Sequence, residues 1–134
     1  MPIIAQQVER ESNLIKYEYA QEVGYCRADV TVNESAETEY LLGTALGRVT
    51  ADGKYKISVE TAVDGSEDVV ALVVEPKTIA ASTDTQVAVL IRGPAIVGTA
   101  GIKLDASYDN PTKVQAAYDS LESRNAPILV EESF

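Results

Sequence analysis

The chain has 134 residues, with 11 Lys plus Arg against 21 Asp plus Glu and a formal net charge of −10. That length suits a single domain with its own core, and that charge opposes direct contact with nucleic acid or an anionic membrane. Histidine is absent and Cys26 is the only cysteine, which removes the usual general base of hydrolytic triads, the commonest zinc ligand and any intrachain disulfide.

Residues 1–37 scatter Ile3, Ile4, Val8, Leu14, Ile15, Tyr17, Tyr19 and Val23 among Gln and Glu. The period-two spacing of Ile15, Tyr17 and Tyr19 predicts a short extended stretch. The segment has too few apolar residues for a core of its own and too many for an indifferent tail. It reads as an extended N-terminal arm that docks on another chain, with a flexible terminus or a first strand of the domain as alternatives. The β-rich domain is then expected over 38–134.

From Arg27 onward the β signals are denser. Ala28 to Val32 alternates, and Asn33 to Glu39 reads as a polar loop. Thr44 to Thr50 is a candidate strand with Leu46 and Val49 buried. Asp52-Gly53 supplies a hairpin turn, because glycine adopts left-handed geometry at no steric cost. Tyr55, Ile57 and Val59 alternate with polar neighbours as the return strand, and Asp64-Gly65-Ser66 marks a further turn. Val69 to Val74 is a continuous apolar run fit for a buried strand, ended by Pro76. After a polar loop at Ala81 to Thr85, Val87 to Arg92 forms the next strand. Gly93-Pro94 breaks it and Ala95-Ile96-Val97 continues beyond.

One helix stands out. Asn110 is a good N-cap and Pro111 fits the first helical position. Val114, Ala117, Tyr118 and Leu121 then share one face. Asn125 and Pro127 end the helix, and Ile128 to Val130 is a last short strand. The fold class is mainly β, barrel-like, with one short C-terminal helix.

No apolar run is long enough to cross a bilayer. The start MPIIAQQVERE lacks the basic and apolar regions of a signal peptide, so residence in a cytoplasm, or wherever a partner carries the chain, is expected. The glycines of Gly43-Thr44-Ala45-Leu46-Gly47-Arg48 do not make a phosphate loop. Only three residues separate them, Val49 replaces the metal-binding hydroxyl, and the segment leads into a strand instead of a helix. Those glycines read instead as positions where a side chain does not fit. Asp64 to Asp68 lacks calcium-loop spacing and reads as a solvated turn. Cys26, beside Arg27 but without a histidine, reads as buried and inert. No catalytic residue, cofactor or metal site is predicted.

Two stretches carry a family resemblance. LLGTALGRVTADGKYKIS and VALVVEPKTIAASTDTQVAVLIRGPAIV resemble the lambda-type head decoration, or capsid cement, proteins of tailed phages. The matching elements are Gly43, Leu46, Gly47, Arg48, Val49 and Thr50, then Gly53, Lys54 and Tyr55. Val69 to Glu75, Asp84-Thr85 and Val89 to Ala95 follow in the same order. The likeness covers about residues 40–132.

It implies a non-enzymatic homotrimer in the virion, on the outer surface of the expanded capsid at three-fold and quasi-three-fold positions. There it would clamp neighbouring major capsid proteins and hold the head against packaged DNA. In that family an N-terminal arm pairs with strand edges of the capsid protein. The arm residues expected to make this contact are Ile3, Ile4, Leu14, Ile15, Tyr17 and Tyr19. The alternative is a small acidic β-rich binding module for glycans or proteins, and a glycan contact on a host surface stays open.

Overall fold

Ten strands and one α-helix fall within residues 14–20, 24, 26–123 and 127–131, the part of the chain that the computed structural model describes. The architecture is mainly β, as the alternation predicts. A five-stranded barrel closes in the order β2 (Arg27–Val32), β5 (Tyr55–Ile57), β4 (Ala45–Arg48), β6 (Ala71–Val73) and β8 (Thr85–Leu90). A second sheet has the order β1 (Ile15–Glu18), β9 (Ala95–Gly98), β10 (Ile128–Glu131), and β3 (Thr38–Tyr40) pairs with β7 (Lys77–Ile79). Helix α1 (Pro111–Glu122) packs near β10.

Two buried clusters explain the hydrophobic patterning. One fills the barrel with Val30, Val32, Tyr40, Leu46, Val73 and Val87 among others. The other lies between the barrel, the β9 sheet and α1, and includes Leu14, Leu72, Leu90, Val97, Leu121 and Ile128. β6 separates them: Ala71 and Val73 face the barrel interior while Leu72 faces the second cluster. A strand covered on both faces has no polar alternation to show, which is why residues 69–74 read as a continuous apolar run.

The glycines of the 43–48 stretch serve packing. A Cβ on Gly43, whose φ is +90°, would lie 1.8 Å from the Gly101 carbonyl oxygen, and one on Gly47 would lie 2.0 Å from that of Ser66. The β4–β5 hairpin turns at Gly53, with φ +72°. In α1 the Asn110 side chain accepts a hydrogen bond from the Lys113 amide at 2.9 Å, Pro111 takes the first turn, and Ala117 and Leu121 are buried. Helix and cap stand where the sequence puts them.

Two expectations change and one strand is added. β7 covers Lys77–Ile79, where the sequence signals no element, because three residues after Pro76 carry too little periodicity to reveal a strand. The Asn33 to Glu39 loop gives way to β3 at Thr38. More important, residues 1–37 do not form one extended arm. β2 is a barrel strand paired with β8 over six residues, Arg27↔Leu90 to Val32↔Thr85, and Val30 and Val32 belong to the core. β1 in turn pairs antiparallel with β9. Segments that bury side chains in the domain are part of it, so an arm can begin only before Leu14.

Candidate protein-docking site

β1 is the edge strand through which the chain runs into residues 1–13, and several contacts fix its position. The Glu18 side chain is 1% exposed, and the Arg27 guanidinium grips both its oxygens: Nε lies 2.9 Å from Oε2 and Nη2 lies 2.8 Å from Oε1. This two-pronged pair ties β1 to the barrel and orients both side chains. The Tyr19 amide donates to the Pro94 carbonyl at 3.0 Å, extending the pairing past β1. Below it Cys26 is buried, with Sγ 3.5 Å from the Tyr19 carbonyl and 3.6 Å from that of Pro94. Burial pushes its thiol pKa up, consistent with an inert, packed cysteine. The Gly93–Pro94 peptide is cis, and Gly93 passes so close to Pro127 that a Cβ would meet its carbonyl oxygen at 1.7 Å.

A bulge at the start of β1 decides which residues face outward. Ile15 pairs with Val97 but Tyr17 pairs with Ile96, so the register shifts by one residue between them. An extra residue on one strand reverses the facing of what precedes it. Ile15 therefore turns inward onto the core while Tyr17 turns out, although their period-two spacing predicts a shared face. On the inner face Glu18, Ala95 and Ile128 lie in line and are buried. On the outer face Tyr17, Ile96 and Leu129 form the matching row across all three strands. Tyr17 is 51% exposed, Tyr19 51% and Leu129 46%. Three of the five large apolar side chains left most exposed among the described residues thus collect on this one sheet.

Of the residues expected to dock, Tyr17 and Tyr19 are at the surface. Leu14 is wholly buried and Ile15 half-buried, and both pack against the core inside the domain. Ile3 and Ile4 lie outside the described residues. Leu129 and Ile96 join the site unforeseen, because their place beside Tyr17 depends on pairing between segments more than thirty residues apart. Among the described residues no group of three or more His, Cys, Asp or Glu clusters as a metal site would, and no helix is long and apolar enough to cross a membrane.

The architecture is thus a small closed barrel flanked by a sheet with the Tyr17–Ile96–Leu129 row on its outer face. The model of the family described as bacteriophage lambda head decoration protein D matches residues 4–126, and the chain belongs to that family. Membership makes it a structural phage protein and not an enzyme, with a capsid decoration role in the virion. No curated protein sequence matches it significantly.

Proposed function

We propose that the chain binds the outside of the expanded phage head as a trimer at three-fold and quasi-three-fold positions. There it clamps neighbouring major capsid proteins and stabilises the shell against the pressure of packaged DNA. The observation that carries this reading beyond family membership is the Tyr17–Ile96–Leu129 row, continued by Tyr19, on the sheet that leads into residues 1–13. Exposed apolar side chains gathered on one face mark a surface meant to be covered. Ile3 and Ile4 belong to the same docking segment in this reading.

Binding that exists only on the assembled shell stabilises the shell by mass action. Three docking segments on one trimer gain avidity on the order of 10²-fold over one. The test is sedimentation of purified expanded heads and compact procapsids with this protein, beside native mass spectrometry. Saturable binding to expanded heads only, at three copies per site, is the expected result. Absence of binding to expanded heads of its own phage by the folded protein overturns the reading. Tyr17→Ser combined with Leu129→Ser should weaken binding at least tenfold without unfolding the domain, since both side chains are about half exposed.

A further inference from the structure

The barrel closes unevenly. β2 is paired with β8 along its whole length, yet on its other side it meets β5 only at Val32↔Tyr55. At the start of this other edge the Arg27 amide donates to the Gly24 carbonyl at 3.0 Å, but Ala28–Thr31 has no strand beside it among the described residues. β2 carries neither a proline nor a register shift to blunt that edge, and an unpaired edge is a template for another strand. A cleft of about 570 Å³ opens at this seam, lined by Val30, Thr31, Arg48, Tyr55, Asp68 and Val70 among others.

Arg48 is the unusual member. Its Nε lies 3.4 Å from the Gly53 carbonyl oxygen, a long hydrogen bond, and it makes no ion pair within the described residues. Arg27, Lys54, Lys77 and Lys113 all have carboxylate partners. In a chain with 21 acidic residues, an arginine on a cleft wall without a carboxylate is available to one from outside. Gly53 leaves room for it: a Cβ there would lie 2.9 Å from Arg48 Nη2. Asp68, on the same cleft, opposes highly charged anions such as polyphosphates more strongly than a single carboxylate.

We infer that this seam receives an extended peptide segment of another protein chain that presents a carboxylate to Arg48. The segment's backbone adds to the open edge of β2, an apolar side chain rests on Val30 and Val70, and an Asp or Glu meets the guanidinium in two-pronged geometry. The strand edge favours a peptide over a saccharide, because its donors and acceptors repeat at the two-residue period of an extended backbone. The site lies on the barrel, on elements other than the β1–β9–β10 sheet, and does not rest on the proposed head binding.

The test uses the full chain, labelled with ¹⁵N, titrated with the blocked peptide acetyl-TVTEVT-amide and with its Glu-to-Gln counterpart. Saturable shifts confined to Val30, Thr31, Arg48, Tyr55 and Val70 are expected. Affinity should fall on the order of tenfold or more for the Gln peptide, and equally for Arg48→Gln with the Glu peptide. The peptide comparison stands even where that variant fails to fold. Shifts that are absent, that fall elsewhere, or that are equal for both peptides overturn the proposal. So does saturable binding of chitotetraose in place of the peptide. Head sedimentation is read separately, so failure here and failure of the head-binding reading are distinct results.

Discussion

One truncation tests whether β1 belongs to the domain. Deleting residues 1–22 removes Leu14, all of β1 and Glu18. Loss of a wholly buried leucine costs roughly 2–5 kcal/mol. Removing Glu18 takes from Arg27 its two-pronged carboxylate partner; the Arg27 side chain is 25% exposed, and partial rehydration puts that loss near the low end of the range for broken buried pairs, about 3 kcal/mol. Stripping β1 also leaves one edge of β9 without its partner. Together these reach the ~5–15 kcal/mol that holds a whole domain folded. Urea unfolding followed by circular dichroism is the assay. The 23–134 chain should be unfolded or molten without denaturant, where the full chain is folded. A 23–134 chain as stable as the full one would refute the assignment of Leu14 and β1 to the core.

Glu18→Gln should lower stability by about 3 kcal/mol and the thermal midpoint on the order of 10 °C, read by calorimetry; Glu18→Gln with Arg27→Gln should recover part of it. Gly47→Ala must displace the Ser66 carbonyl and should cost roughly 1–3 kcal/mol, seen as a lower urea midpoint at unchanged slope. Burial, and then the hydrogen bond to Glu34, push the Tyr40 phenol well above its ordinary 10. The folded state thus keeps a proton the unfolded chain gives up, so stability is complete below pH 10 and falls as pH rises through the folded value. Phenolate absorbance from Tyr40 should appear only with alkaline unfolding. Tyr40→Phe should lose about 1–3 kcal/mol at pH 7, because Glu34 then keeps only the Ile57 amide as donor, and should show a flatter dependence above pH 10.

What the sequence makes legible here is local. The Asn110-Pro111 cap, the turns at Gly53 and Gly65 and the run ending at Pro76 each need only a few neighbouring residues to be recognised. What it conceals is pairing at a distance. The placement of β1 and β10 on either side of β9 joins residues near 15, 96 and 129, and no local pattern encodes that meeting. The bulge between Ile15 and Tyr17 is hidden for the same reason, since the shift exists only relative to β9. Leu14 therefore looks like one more apolar residue of an arm, although it closes the core. The cleft at Arg48 belongs to the same class: the stretch around it is recognisable as a family feature, but the missing pairs between β2 and β5 are visible only in three dimensions.

The direction of the two strands beside β9 has a topological consequence. β1 runs antiparallel to it and begins opposite Val97; β10 runs parallel and ends opposite Gly98. Ile15 and Glu131 therefore stand at the same end of the sheet, two strand spacings or about 10 Å apart. From Ile15 to Glu131 the chain nearly returns to its starting point. Bridging Glu131 to Ile15 with a short linker and cutting instead in an exposed turn such as Ala51–Asp52 should give a circular permutant with the same barrel.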